Sequence, residues 1–315
     1  MKYEISGFWV RVGALFVDAL ILCVFGLFLG LAFSQQFAEL GGWGRAIGFP
    51  IAAMYFVILN SRFGGGQTIG KRVFKVQVVD KTGKLLNLTQ STLRYSIIGI
   101  PYFLNGAIIP ESIFFPVVLP LVSLLVFGFG ISIIYLSVFN RNTRQSLHDI
   151  ITGTYVIRKD LESDEIVKPI WSGHYAICTI IMVLALLAPI FSNQLSQNEF
   201  FSELTATRKN IQNLPHVVYA TIQDGQSTTI RVGDESKTTT YLNIQVIVND
   251  PKIDAEKFAA KVVNIALESH KEATQKNQIQ VVLTYGYDIG IASKWISSRY
   301  SFAPEYWLAK NEKEI

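Results

Sequence analysis

Apolar residues in this chain fall in blocks, and the blocks set its architecture. Five stand out: Val12 to Phe33, Ala46 to Asn60, Tyr95 to Ile109, Ile113 to Phe139 and Tyr175 to Phe191. A helix needs roughly 20 apolar residues to cross a bilayer, so the first, fourth and fifth read as membrane spans. The second is shorter, with Trp43 as an interfacial anchor, and Trp171 plays that part ahead of the fifth. The third carries Gly99, Pro101 and Asn105 and reads either as a full span or as a re-entrant segment.

Beyond Phe191 the pattern changes. Asn193 to Asn213 is polar and predicts a helix. Val217 to Gln223, Thr229 to Val232 and Tyr241 to Val248 predict strands, with Leu242, Ile244, Val246 and Val248 on one face and Gly233-Asp234 in a turn. Asp254 to Glu268 is amphipathic, with Phe258, Val262 and Ala266 on one side. Ile279 to Tyr287 and Ile291 to Tyr300 complete the strands. Helix, strands, helix and strands in that order predict a small α+β soluble domain.

Charge in the connections sets the orientation. Arg62, Lys71, Arg72, Lys75, Lys81, Lys84 and Arg94 lie between the second and third blocks, and Arg141, Arg144, Arg158, Lys159 and Lys168 between the fourth and fifth. The other two connections carry only Glu39, Arg45 and Glu111. Basic connections stay in the cytoplasm. Five spans put both basic loops and the N-terminus inside and the C-terminal domain outside; four would strand the second basic loop on the wrong side. The expected organisation is an α-helical polytopic membrane domain of five transmembrane helices. Four spans fall in residues 7–158, and a basic cytoplasmic linker and the fifth helix in 159–192. An extracytoplasmic α+β domain follows in 193–315. The expected location is the cell (inner or plasma) membrane, multi-pass. The first block has basic residues ahead of it and Ala32-Phe33-Ser34 as an apparent cleavage site. It is nonetheless longer than a secretory apolar region of about 7–15 residues and holds Asp18, so it is read as a retained helix.

Composition agrees with a membrane protein bearing an appendage: half of the 315 residues are hydrophobic and 17% charged. The net charge of +4 gives no reason to expect a nucleic-acid partner. Cys23 and Cys178 both lie in apolar blocks and read as small core hydrophobes, offering neither metal-ligand spacing nor a disulfide framework. No cofactor and no metal are expected.

Asp18 is the most informative residue, because a carboxyl group at the centre of a membrane helix costs about 2.5–3.5 kcal/mol to insert. Arg11, seven positions earlier, shares its helix face about two turns away, too far for direct contact. Each therefore needs a partner elsewhere. Two readings stay open: a buried ion pair with an arginine of another helix, or a proton or cation site with access to water. Gly64 to Arg72 looks like a phosphate loop, with Gly65, Gly70 and Lys71 in register. Arg72 stands where Ser or Thr would hold magnesium, however, and the loop does not join a strand to a helix. It reads instead as a tight cytoplasmic turn into a hairpin with Gly83 at its tip. His148-Asp149 reads either as a proton relay or as an acid that pairs with an arginine and caps an interfacial helix. His216 and His270 are lone histidines expected at surface or cap positions. The aromatics Tyr285, Tyr287, Trp295, Tyr300, Phe302, Tyr306 and Trp307 are expected in a core. No serine-histidine-acid arrangement is present, and an enzyme is not expected.

Arg11 and Asp18 in the first helix, Ser146-Leu147-His148-Asp149 after the fourth, and Gly66-Gln67-Thr68-Ile69-Gly70-Lys71 after the second resemble the RDD family of membrane proteins, over roughly Gly7 to Arg158. The resemblance implies an integral membrane protein, with Arg11, Asp18, His148 and Asp149 as candidate pathway residues and Gly66, Gln67, Thr68, Gly70 and Lys71 as a cytoplasmic loop motif. It also implies exchange of cations for protons, as has been suggested for some members. A transporter of small cations, protons or solutes built from so few helices is expected to form a homo-oligomer, and the lack of inverted repeats counts against it. The alternative is a membrane-anchored scaffold or sensor whose outer domain binds a ligand or protein partner.

Overall fold

The computed structural model describes residues 3–108, 117–162, 168–195, 199–230 and 236–311. They divide into two compact units, one holding Met1–Ala32, Trp43–Phe191 and Ile289–Ala292, the other Phe33–Gly42, Ser192–Asp288 and Ser293–Ile315.

In the first unit, strand β1 (Tyr3–Ile5) leads into α1 (Phe8–Leu40), which is kinked where Phe33 leaves helical geometry. Then come α2 (Arg45–Asn60), the short α3 (Ile69–Val73), β2 (Val76–Asp80) and α4 (Leu88–Leu104). α5 (Val118–Ser123) joins α6 (Gly130–Phe139) through a wider turn of π type at Leu124–Phe129. α7 (Leu147–Thr152), β3 (Thr154–Glu162) and α8 (Gly173–Leu195) complete it. Among the described residues, three helices are long and apolar enough to cross a membrane: Phe8–Trp43, Val118–Phe139 and Gly173–Ser192. Their exposed Leu15, Phe16, Phe28, Leu31, Ile134 and Leu184 suit a lipid surround.

The polar connections fold into a structure that the apolar pattern does not announce. β1, β3 and β2 form one three-stranded antiparallel sheet in that order, with Val78 opposite Val156 and Val79 opposite Tyr155. Val76, Val78, Leu86 and Val156 bury one face against Ala14 of α1. Gly83 does sit in a turn, its amide donating to Asp80 O at 3.0 Å. The expected hairpin is absent, however: β2 pairs with β3, and beyond the turn only a single bridge joins Leu86 to Ser61. The third block also shifts. Its helix begins at Leu88, so Arg94 lies within α4 rather than in the loop. The polar first turns of α4, capped by Asn87 accepting from the Gln90 amide, hide its start from an apolar reading. Ile109 and Ile113, the expected limits of the third and fourth blocks, lie outside the described residues.

In the second unit, α9 (Glu199–Gln212) precedes a four-stranded sheet in the order β4-β5-β6-β7. β4 (Val217–Thr229) and β5 (Lys237–Val248) pair antiparallel, as do β6 (Gln278–Asp288) and β7 (Ser293–Phe302). β5 and β6 are parallel, with α10 (Ala255–Ser269) in the crossover between them. Asp254 starts α10 by accepting from the Lys257 amide. The alternation of β5 works as expected: Leu242, Ile244, Val246 and Val248 are buried with Ala259, Val262, Val263 and Ala266 of α10. A short α11 (Pro304–Asn311) was not expected from the sequence; it plugs the fully buried Trp307 into this core, with the indole N–H donating to Ile279 O at 3.3 Å. Trp307 and Tyr287 are core residues as expected, whereas Trp295, Phe302 and Tyr306 are exposed. β7 begins two residues later than expected, at Ser293, and the expected Gly233-Asp234 turn and the end of the Thr229 to Val232 strand lie outside the described residues.

Candidate functional site

The two aspartates singled out in the sequence are the most deeply buried acids among the described residues of the first unit: Asp18 is 1% exposed and Asp149 fully enclosed. They are satisfied in different ways.

Asp149 sits in the first turn of α7, where its carboxylate accepts from the Ser146 amide at 3.2 Å, half of a capping box. The same carboxylate receives two guanidiniums. Arg11 reaches it from α1 at 3.2 Å and Arg94 from α4 at 2.6 Å. The Thr154 hydroxyl adds a bond at 3.2 Å. Arg11 also donates to Arg144 O at 2.6 Å and to Val156 O at 3.3 Å. To present that carbonyl, Arg144 adopts a left-handed backbone (φ +50°), at a cost of about 1–2 kcal/mol. One carboxylate thus ties α1, α4, α7 and β3 together. Burial alone would raise the Asp149 carboxyl, yet His148, where it is protonated in acid, and the Arg94 and Arg11 guanidiniums hold it well below the usual carboxylate range. Burial, helped by repulsion from Arg94, Arg11 and Lys71, pushes His148 down to about 3 against the pull of Asp149. The imidazole is therefore neutral near pH 7, and the two guanidiniums are the lasting partners of Asp149. The pairing and capping reading of His148-Asp149 describes this geometry; a relay by a titrating His148 does not.

Among the described residues no arginine bonds Asp18, which corrects the ion-pair reading. It accepts from the Tyr55 hydroxyl at 2.7 Å, the Thr68 hydroxyl at 2.6 Å and the Gly70 amide at 2.8 Å. The glycine-rich motif supplies two of these three donors. Gly66 turns the chain with φ +67°, a conformation open to glycine. Gln67 anchors the turn by donating to Val76 O at 2.9 Å. Thr68 caps α3 by accepting from the Lys71 amide at 3.3 Å. Gly70 then lies so close to α1 that a Cβ there would stand 2.0 Å from Ala14 O. Lys71 carries the motif's charge into the same cluster, where its ammonium donates to the Asn60 side-chain oxygen. Burial, with repulsion from Arg94, lowers it to about 7 despite Asp18 and Asp149.

The structure therefore gathers Arg11, Asp18, Lys71, His148 and Asp149 at one end of the helices and shows what Gly66, Gln67, Thr68 and Gly70 do there. It adds Tyr55, Asn60, Arg94 and Thr154, which the sequence reading missed. Arg94 carried a findable signal: it is a charge seven residues past the Asn87 helix cap and just ahead of an apolar run. Chemically, Asp18 with two hydroxyls is a set of hard oxygen ligands of the kind a small cation takes, once the hydroxyls turn their lone pairs inward.

In the second unit, His270 closes α10 as a cap but is 1% exposed rather than at the surface. Its Nε2 lies 3.0 Å from Asp224. Asp224, His270 and Glu272 could together hold a metal ion by position. The Lys276 ammonium already bridges the two acids, at 2.8 Å from Asp224 and 3.0 Å from Glu272. His216 is half-exposed beside Asp250.

The family model described as RDD family matches residues 5–153, the stretch that holds every residue of the two aspartate sites except Thr154 and Val156 of β3. The uncharacterized protein YckC of Bacillus subtilis (strain 168) is 25% identical over 171 residues, covering 53% of this chain and 96% of that protein. The similarity thus runs through nearly all of the relative and about half of this chain. Residues 5–153 are an RDD family domain, and the described residues carry three helices long and apolar enough to cross a membrane, followed in the sequence by an α+β region.

Proposed function

We propose that the RDD unit crosses the membrane five times and exchanges a small cation for protons, with Asp18 as the cation-facing carboxylate. The observation that carries this reading is the surroundings of Asp18: a membrane-helix carboxylate with no cationic partner bonded to it among the described residues, held by two hydroxyls and an amide. An intramembrane acid without a bonded counter-charge is a functional site by default.

The three-stranded sheet supports the five crossings. It joins residues 3–5, 76–80 and 154–162 at one level, so the chain between any two of them crosses an even number of times. α1 is long enough to cross, so α2 must bring the chain back. The Val118–Phe139 helix is long enough too, so α4 must cross ahead of it. α8 then carries the chain out. All the basic connections fall on the sheet side, which the positive-inside rule places in the cytoplasm. Labelling with a membrane-impermeant maleimide, in a chain whose own two cysteines are replaced, tests this. Cysteines placed at Thr82 and at Thr228 are expected to react from opposite sides, and reaction from the same side would sink the five-span topology.

For the exchange itself, the full chain in proteoliposomes is given an inward Na⁺ gradient while internal pH is followed. Protons leaving as sodium enters is the expected result. A pH that stays flat under gradients of Na⁺, K⁺ and Li⁺ would refute the proposal. A second reading, a scaffold or sensor whose outer domain takes a ligand or protein partner, is favoured by the separate core of the α+β unit. The sheet face opposite α10 leaves Gln223, Gln245 and Arg299 exposed.

A further inference from the structure

We infer that Asp224, His270 and Glu272 of the α+β unit form a zinc-binding site, at which the metal ion and the Lys276 ammonium compete for the same two carboxylates. The site is independent of ion movement by the RDD unit.

Local structure brings the three residues together. In β4, Ala220 and Ile222 pack into the core beneath α10. The alternation of a strand turns Asp224 to the same face, where its side chain is 8% exposed. A carboxylate on the core side of a strand needs a partner. His270 supplies one from the C-terminal cap of α10: it is 1% exposed, with Nε2 3.0 Å from Asp224. The Ala273 amide donates to His270 O at 3.0 Å, so the chain turns at once and brings Glu272 back beside the imidazole. One donor atom from each of Asp224, His270 and Glu272 lies within 4.8 Å of the others. Around a tetrahedral zinc ion with bonds of about 2.0–2.2 Å, neighbouring donors stand about 3.4 Å apart. Asp224 and His270 are already near that spacing, and only the exposed Glu272 side chain has to close.

Three features favour a metal over a plain polar network. The imidazole is flanked on both sides: Nδ1 lies 3.6 Å from Glu203 of α9, close to where the outer carboxylate of a metal-bound histidine belongs, which leaves Nε2 for the metal. The charges are uneven as well. Glu203, Asp224 and Glu272 pair with only two lysines, Lys271 and Lys276, so the cluster keeps one negative charge over. Finally, a cation already sits between the two acids, because the Lys276 ammonium lies 2.8 Å from Asp224 and 3.0 Å from Glu272. A divalent ion takes the same acids with twice the charge and adds the imidazole as a ligand. One imidazole nitrogen with two carboxylate oxygens is a donor set of zinc type; magnesium and calcium take oxygen alone. Three protein ligands leave a fourth position for water or for a further ligand.

The test titrates ZnCl₂ into the full chain in metal-free nanodiscs, followed by calorimetry. A single zinc ion per chain is expected, bound about 10–100-fold more weakly by Glu203→Gln and lost in His270→Gln. Should His270→Gln not fold, Glu272→Gln changes only an exposed side chain and is expected to weaken binding by about tenfold or more. Lys276→Gln removes the competitor and is expected to bind zinc more tightly than the wild type. No zinc uptake by the wild type overturns the inference, and so does uptake that Glu272→Gln and a folded His270→Gln leave unchanged. Zinc bound no more tightly by Lys276→Gln overturns the competition, and Ca²⁺ bound more tightly than Zn²⁺ overturns the choice of metal.

Discussion

Asp18 and Asp149 are both enclosed carboxylates at the same end of one helical unit, yet they are stabilised by opposite means. Asp149 is held by two guanidiniums and joins four elements; Asp18 is held by two hydroxyls and one backbone amide. A buried acid paired with arginines is fixed, because removing its charge strands theirs. A buried acid among neutral donors can gain or lose a partner without orphaning a charge. The first arrangement suits a clamp and the second a site, although the two residues look alike along the sequence.

Substitution at Asp149 gives the largest expected effect. Asp149→Ala leaves the Arg11 and Arg94 guanidiniums buried without their shared acid, and a loss of about 3–5 kcal/mol is expected. Chemical or thermal unfolding in detergent measures it, and a loss close to that of a surface substitution would show that Asp149 is not the clamp. Next comes Gly70→Ala, which drives a methyl into the Ala14 carbonyl and lifts α3, with its Asp18 donor, off α1. A loss of about 1–3 kcal/mol is expected, confined to the Asp18 side. Changes in the Arg94 and Asp149 contacts, followed by side-chain NMR, would break the comparison by showing that the two sites move as one.

Acid sharpens the contrast further. Asp149 binds its proton more weakly folded than unfolded, so its stabilisation is complete above about pH 4 and drains only as pH falls below that. Asp149→Asn should remove this acid-sensitive part of a melting curve taken against pH. The smallest effect is expected outside both sites. His216 holds a left-handed backbone with φ +66°, and His216→Gly should relieve about 1 kcal/mol at most without touching ion movement. Destabilisation there would mean that the Asp250 contact outweighs the strain.

Much of the fold was legible in the sequence because its signals are local. The apolar blocks matched α2 nearly to its ends and the middles of α1 and α8, the first block stopping at the Phe33 kink seven residues short of the end of α1, and Asp254 marked the start of α10. The small sheet was hidden because β1 is three residues long and its partner β3 lies more than 140 residues away; pairing at that distance leaves no periodic trace. Arg94 was masked by the polar opening of α4. The partners of Asp18 were half legible: Thr68 and Gly70 stood in a recognisable motif, but its reading as a tight turn into a hairpin said nothing of a carboxylate in α1. The hydroxyl of Tyr55 had no signal, since tyrosine is ordinary in an apolar helix.

The measurement that tests the division of labour most directly is cation-driven proton movement in proteoliposomes, for Asp18→Asn beside Asp149→Asn, each normalised to folded protein. The account predicts that Asp18→Asn reconstitutes in usable amounts and moves nothing, while Asp149→Asn loses folded protein but keeps activity in what remains. Full proton movement by a folded Asp18→Asn would contradict it.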